Sequence, residues 1–281
     1  MQTNPFVFYE MMWYPLPRGA EQFSRLQSSL FTPYQSDSLL SPPVELLPSR
    51  STPSPLLDEY VAHIDRRWRL YKSLPFVEHI YLCNSLTFNH LDEESDIDLF
   101  IIASPNRLWI ARLWSRWLFS LLGLKRWGNL TRKKFCLSFY VTTDHLNLYD
   151  ISLQPYDIYL TYRIAHLVPL YSQTTTSTGD IRSSNRRITW FLPNIPLGPN
   201  ICIGTKHFSG ATRCKWWIEL LHGGRRWTMI NTLIKLIWSP IIYRKTRRLW
   251  SKWRGITISD TMLKFHADQR KKYNILYRMF S

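Results

Sequence analysis

The sequence of 281 residues predicts an α+β fold, in which a small mixed sheet is flanked by helices and followed by a helical, basic C-terminal region. Three apolar runs of strand length, at 76–82, 97–101 and 134–142, predict the sheet. Segments with apolar residues at helical spacing lie around these runs and predict the flanking helices. A chain of this length can bury a full core in one or two domains.

The second run carries two carboxylates, Asp96 and Asp98, at positions i and i+2. Because side chains alternate between the two faces of a strand, both carboxylates point to one side, and Ile97, Leu99 and Ile101 point to the other. Adjacent carboxylates at the edge of a buried sheet repel each other, and a bound cation relieves that repulsion. The pair therefore predicts a Mg²⁺ site for phosphate chemistry, and a solvated acidic strand face is the alternative.

A strand and a turn precede this pair at a defined distance. The run 76–82 predicts the strand, Asn84-Ser85 predicts the turn, and ten residues separate Ser85 from Asp96. This order of strand, hydroxyl-bearing turn, short segment and Asp-x-Asp strand resembles the DNA polymerase beta nucleotidyltransferase superfamily. The resemblance covers residues 56–145, about a third of the chain.

The resemblance implies a role for each matching residue. Asn84, Ser85 and Ser95 would bind a nucleoside triphosphate such as ATP, and Asp96 and Asp98 would be the catalytic residues and the Mg²⁺ ligands. In such proteins an acceptor hydroxyl displaces pyrophosphate in line while the metal neutralises the developing charge. The implied function is Mg²⁺-dependent transfer of a nucleoside monophosphate to a hydroxyl acceptor, and the implied sheet is of nucleotidyltransferase type.

The chain departs from the family pattern at two places. Asn84 and Asn89 stand where the commonest family form has glycine, and we expect the turn to survive because asparagine tolerates positive φ. The run 134–142 carries no acid where many members place a third carboxylate, and Cys136 or Ser138 takes that place. The alternative function is a catalytically weakened protein of the same fold that binds nucleotide, nucleic acid or an anionic membrane surface.

Helical spacing predicts further elements around the sheet. We expect helices over 56–73, over 107–122 with a stop at Gly123, and over 151–171. On the second of these, Arg112 and Arg116 lie one turn apart. They either form a solvated helix face or reach the triphosphate.

The C-terminal quarter carries most of the charge. Residues 213–281 hold sixteen Lys and Arg against three Asp and Glu, a net +13 of the total formal charge of +16. We expect apolar helices over 214–242, broken at Gly223-Gly224, and then the aromatic, basic stretch 244–254. Aromatic residues between cations suit a nucleic acid or an anionic membrane surface. A helical hairpin packed on the catalytic domain is the alternative.

Further along, the segment 259–266 predicts a short helix capped by Ser259 or Asp260. The nearby side chains Lys264, His266, Asp268 and Arg270 are candidates for a base or a phosphate ligand. A structural histidine on an apolar helix is the alternative for His266.

Cysteine usage and the N-terminus bear on location. Cys83, Cys136, Cys202 and Cys214 show no Cys-x-x-Cys spacing, so neither a zinc site nor a disulfide framework is expected. The first ten residues lack the charge and apolar pattern of a signal peptide. We therefore expect a cytoplasmic protein, peripheral at the membrane if its basic end binds lipid.

Four segments follow from these patterns. Residues 1–55 are an N-terminal segment and Ser/Pro-rich linker, and residues 56–171 are the nucleotidyltransferase-like domain. Residues 172–212 are a loop-rich insertion, and residues 213–281 are the basic, Trp-rich helical region.

Overall fold

A computed structural model describes the chain over residues 54–87, 91–152, 158–173, 181–186, 206–221, 224–250 and 256–265. The helices within these ranges are α1 (Leu57–Asp65), α2 (Trp68–Lys72), α3 (Leu108–Leu121), α4 (Ile158–Ala165), α5 (Arg213–Leu221) and α6 (Arg225–Trp250). The strands are β1 (Val77–Cys83), β2 (Ile97–Ala103), β3 (Phe135–Thr142), β4 (Val168–Ser172), β5 (Phe208–Ser209), β6 (Thr257–Ile258) and β7 (Met262–Lys264).

The described strands form one mixed sheet in the order β5-β4-β1-β2-β3-β7-β6. β2 pairs antiparallel with β1 and parallel with β3. β4 pairs antiparallel with β1, and β7 pairs antiparallel with β3. The predicted α+β fold with a mixed sheet between helices is therefore confirmed. The outer strands come from late in the chain, so long-range pairing completes the sheet.

Strand β2 lies at the centre of the sheet and is buried on both faces. Ile97, Leu99 and Ile101 belong to a core that includes residues of α1, α2 and α3. Phe100 and Ile102 belong to a second core on the other face, with residues of α4. The predicted alternation along β2 is confirmed, and each face is covered by helix.

Helix α6 packs on α3, and a side chain of α6 caps the N-terminus of α3. The buried Asn231 Oδ1 accepts hydrogen bonds from the backbone N–H groups of Trp109 (3.0 Å) and Ile110 (3.2 Å). These are orphan donors of the first helical turn, and Arg107 does not cap them with its own side chain. Arg107 instead donates to Gly224 O and Thr228 Oγ1, which ties the start of α6 to the same end of α3.

The helix predicted over 56–73 is wrong in its middle, because the structure divides it into α1 and α2. The hydroxyl of Tyr71 donates to Ile64 O at 2.9 Å, and Arg67 N bonds Ile64 O three residues back. These contacts satisfy a carbonyl at the end of α1 and end the helix there. Packing of Tyr71 in the core therefore overrides the continuous apolar spacing.

The helix predicted over 151–171 is also too long. Among the described residues of this range, Ile158–Ala165 is the α-helix, and the chain enters β4 at Val168. Pro169 lies inside β4, opposite Tyr81, at an irregularity of the β1 pairing. Such a position tolerates the missing N–H of proline, so pairing with β1 rather than local spacing decides the element.

The capped helix predicted at 259–266 is wrong, since residues 259–264 form the turn and the second strand of the β6–β7 hairpin. Ser259 Oγ accepts from Met262 N at 2.8 Å, and Ser259 N donates to Met262 O. A serine hydroxyl that accepts from an N–H three residues on serves a turn as well as a helix cap. Phe265 N then donates to Ser138 O of β3, while His266, Asp268 and Arg270 lie outside the described residues.

The predicted C-terminal helices are present as α5 and α6, and Pro240 lies within α6. Within the described ranges, none of the helices combines the length and the apolar character needed to cross a membrane.

Candidate functional site

The paired acids lie at one end of the sheet, where β1 ends and β2 and β3 begin. In the register of these strands, Cys83 on β1 lies opposite Asp98, and Asp98 lies opposite Cys136 on β3. Asp96 comes directly before β2. Adjacent strand ends therefore bring three side chains with ligand atoms, Asp96, Asp98 and Cys136, to within 4.8 Å of one another.

A β-bulge in β3 sets the position of Cys136. One residue of β2 lies between Asp98 and Phe100, whereas two residues of β3 lie between their partners Cys136 and Phe139. Without the extra residue, Cys136 and Phe139 could not both lie on the face of Asp98 and Phe100. The bulge thus places Cys136 beside the acids, and Ser138 Oγ lies 3.3 Å from Cys136 Sγ.

The acids are close together in a buried setting, as the alternation predicts. Asp98 is only 9% exposed. Burial raises its pKa above the ordinary value, and the neighbouring charge of Asp96 raises it further. The charge of Arg163 and hydrogen bonds from Asn84 and Cys136 act in the opposite direction. A cation between Asp96 and Asp98 would offset the repulsion that remains between the two carboxylates.

Cys136 places a neutral thiol beside the two carboxylates. Burial, and then the charges of Asp98 and Asp96, raise the pKa of its thiol well above the ordinary value. A protonated thiol is a weak donor to Asp98 and a poor ligand for a hard cation. Among the described residues of this cluster, Asp96 and Asp98 are therefore the two that offer a carboxylate to a cation.

Asn84 forms the turn that the sequence predicts and also contacts the acids. Its φ of 63° is positive, which confirms that asparagine takes the glycine-like conformation. Its Nδ2 donates to Asp98 Oδ2 at 2.7 Å, and Thr87 Oγ1 donates to its carbonyl at 2.9 Å. The side chain of Asn84 therefore orients a carboxylate of the pair. Asn89 lies outside the described residues.

The two serines of the predicted nucleotide site have different positions. Ser85 follows Asn84 in a short 3₁₀ turn and is half-buried. Ser95 Oγ donates to Asp92 Oδ1 at 2.8 Å and accepts from Asp92 N at 2.9 Å, and Ser95 O accepts from the Tyr60 hydroxyl at 2.7 Å. Ser95 thus shapes the loop that leads into Asp96, whereas Ser85 lies in the turn beside Asp98.

Two arginines at the site were not predicted from the sequence. Arg126 forms an ion pair with Asp96, with 2.6 Å between Nη1 and Oδ2, and its side chain is 44% exposed. Arg163 on α4 is 2% exposed, donates to Cys83 Sγ at 3.4 Å and lies over the Phe139 ring. In the sequence, Arg163 stands out as a charged residue within an apolar helical segment. Arg126 belongs to the basic loop before β3, which is the sequence feature that could have indicated its role.

Arg112, in contrast, is neither solvated nor near the acids. Its guanidinium lies 4.1 Å from the ring centroid of Phe265 and 5.8 Å from that of Tyr140, both packed in the core opposite to the face of Asp98. Burial lowers the pKa of Arg112 to about 9. The predictions of a solvated helix face and of a triphosphate contact are therefore both wrong for Arg112, and cation–π packing explains its position. Arg116 is half-buried one turn later.

Comparison of the chain with protein-family models, with curated proteins and with solved structures finds no match.

The ligand atoms of the site indicate which cation fits it. Mg²⁺ prefers oxygen ligands and takes one or two carboxylates together with waters and substrate phosphates. Asp96 and Asp98 supply such a pair, and the fork of Arg126 suits a phosphate group.

Proposed function

We propose that this chain is a Mg²⁺-dependent nucleotidyltransferase that moves a nucleoside monophosphate from a nucleoside triphosphate to a hydroxyl acceptor. The observation that carries the proposal is the convergence of Asp96 and Asp98 at the sheet end, beside the positive-φ turn of Asn84. This arrangement agrees with the resemblance to the DNA polymerase beta nucleotidyltransferase superfamily.

Asp96 and Asp98 would hold the metal, which when bound neutralises phosphate charge and assists departure of pyrophosphate. Asn84 keeps the Asp98 carboxylate in one orientation through its 2.7 Å hydrogen bond. Ser85 would contribute its hydroxyl and the turn its backbone N–H groups to the triphosphate. These roles need no movement of the strands, because each group already lies at the sheet end.

Arg126 has a second role in this proposal. Its ion pair holds Asp96 in the absence of a cation, and a metal that binds Asp96 competes with that pair. Being partly exposed, Arg126 is free to turn toward a phosphate, for which a guanidinium is a bidentate donor. Arg163 stays buried, and its charge partly offsets the rise in the pKa of Asp98 that burial and Asp96 cause.

One observation favours a second candidate function, a protein that binds nucleoside triphosphate without turnover. Cys136 stands where a third carboxylate would help hold a second metal or act as a base, and its raised thiol pKa makes it neither an anion nor an effective base. Under this candidate, Asp96 and Asp98 retain Mg²⁺ and nucleotide, but no acceptor is activated.

The experiment incubates the full chain with Mg²⁺ and each labelled nucleoside triphosphate, and measures pyrophosphate release and label on protein, RNA or small acceptors. Asp96→Asn and Asp98→Asn should reduce release at least about 100-fold, since even outer partners of a metal ligand account for about 10- to 100-fold. Asp144→Asn, an exposed acid just after β3, is the matched control and should behave as wild type. Release that survives both substitutions refutes the proposal.

Binding assays separate the two candidates. Binding of a triphosphate that requires Mg²⁺ and Asp98, without release of pyrophosphate, supports the binding protein. If no triphosphate binds in the presence of Mg²⁺, both candidates fail.

A further inference from the structure

Helix α6 has both covered and exposed apolar side chains. Trp227, Ile230, Ile234 and Ile242 pack on the core that includes α3. A second set is 40–65% exposed and is here named the outer stripe: Met229, Leu233, Leu236, Ile237 and Ile241. The outer stripe extends over about 18 Å of helix. A set of exposed apolar side chains of this length is typical of a contact surface.

Cations stand at both ends of the outer stripe. Arg226 lies one turn before Met229, Arg244 lies one turn after Ile241, and both are exposed. The sequence of α6 contains seven Lys and Arg and no Asp or Glu. The cation in the middle of α6, Lys235, forms an ion pair with Asp260 of the β6–β7 turn. The surface is therefore apolar along its length and positive at its ends.

Helix α5 also exposes apolar and basic side chains. Trp216, Trp217 and Leu220 are each more than half exposed, and Arg213 at the start of α5 is exposed as well. The two indole rings meet edge to face, with 5.1 Å between centroids. Tryptophan is enriched at the boundary between lipid headgroups and acyl chains, where its ring is apolar and its N–H finds a polar partner.

The chemistry of the outer stripe favours lipid over nucleic acid. Nucleic acids are held by phosphate contacts and by stacking on aromatic rings, and the aliphatic side chains of the stripe supply neither. An anionic bilayer surface offers acyl chains to Leu233, Leu236 and Ile237, and lipid phosphates to Arg226 and Arg244. Arginine stems of this kind reach from an apolar surface to the headgroups while the stripe is buried.

We propose that the outer stripe of α6 docks the protein on an anionic lipid bilayer, with the helix lying along the membrane surface. This docking does not depend on the nucleotidyltransferase proposal, because no residue of the acid site takes part in it.

The test is co-flotation of the full chain with phosphatidylcholine vesicles that contain about one-third phosphatidylglycerol, compared with phosphatidylcholine alone. The stripe variant, Leu233→Gln/Leu236→Gln/Ile237→Gln, should reduce partitioning at least about tenfold, since burial of one such side chain alone corresponds to about that factor. The control is Leu121→Gln/Leu122→Gln/Leu130→Gln, which changes three similarly exposed leucines outside α5 and α6 and should bind as wild type.

A second variant keeps the test decisive if the stripe variant does not fold. Arg226→Gln/Arg244→Gln should lose the preference for anionic vesicles and retain part of the binding that persists in high salt. The proposal is overturned if wild type does not float, if the stripe variant floats as wild type, or if the arginine variant keeps its anionic preference. It is equally overturned if the stripe variant loses binding to single-stranded RNA, or converts a dimer of the wild type to a monomer, while its flotation is unchanged.

Discussion

Substitution of Asn84 by glycine and by alanine separates the two contributions of this residue to the site. Both variants lose the 2.7 Å hydrogen bond to Asp98, and a hydrogen bond to a charged group contributes about 1.5–3 kcal/mol. Alanine must in addition adopt the φ of 63°, which costs about 1–2 kcal/mol for a residue with a Cβ. Glycine takes this φ freely but loses about 0.5–1 kcal/mol more backbone entropy on folding.

We therefore expect Asn84→Gly to lower the free energy of unfolding by about 2–4 kcal/mol and Asn84→Ala by up to about 1 kcal/mol more. Both variants should also bind Mn²⁺, used as a probe for Mg²⁺, about tenfold more weakly, because Asp98 loses the group that orients it. Urea unfolding measures the stability, and a Mn²⁺ titration measures the affinity.

A matched control exists at Asn106, which has a φ of 58° and is exposed. Asn106 lies outside the acid site, so glycine should cost only the entropy term of about 0.5–1 kcal/mol and alanine only the backbone term of about 1–2 kcal/mol. If Asn84→Gly is as stable as wild type and binds Mn²⁺ equally well, the orienting role assigned to Asn84 is wrong.

Three further predictions concern other parts of the structure. Asn231→Leu leaves two buried N–H groups of α3 without their acceptor and should destabilise by about 2–3 kcal/mol in urea unfolding, whereas the exposed neighbour Thr232→Ala should change little. Lys215 is fully buried, and burial lowers its pKa to about 8 from 10.5, so the native state binds fewer protons than the unfolded state above pH 8. Wild type should therefore gain about 2 kcal/mol relative to Lys215→Met between about pH 7.5 and 9.5, and a flat difference would contradict the burial of a charged Lys215. Cys136→Asp adds a third carboxylate and should tighten Mn²⁺ binding at least about tenfold, while Cys136→Ser should not, as measured by calorimetric titration.

Much of the candidate site was predictable because it depends on short-range geometry. Asp96 and Asp98 share a side because strands alternate, and Asn84 adopts positive φ because its residue type allows it. The nucleotide-binding role given to Ser95 is less well supported, because its hydroxyl is engaged with Asp92 in the loop before the acids. A hydroxyl at the right distance in sequence does not by itself show where that hydroxyl points.

The parts that were missed depend on residues far apart in the chain. Arg126 reaches Asp96 from the loop before β3, and the charge of Arg163 acts on Asp98 from α4. No spacing rule predicts either position. The 259–266 segment was misassigned because one hydroxyl pattern serves both a helix cap and a hairpin turn, and pairing of β7 with β3 decides between them.

The sequence by itself determined the central strand with its acid pair, the turn before it, the apolar helices near the C-terminal end and the uneven charge. These follow from local periodicity, residue conformational preference and composition. Only the tertiary structure decided that a bulge brings Cys136 beside the acids, that Asn231 closes α3 from another helix, and that part of the apolar surface of α6 is exposed. Such features depend on which surfaces meet, and local preferences carry no information about distant partners.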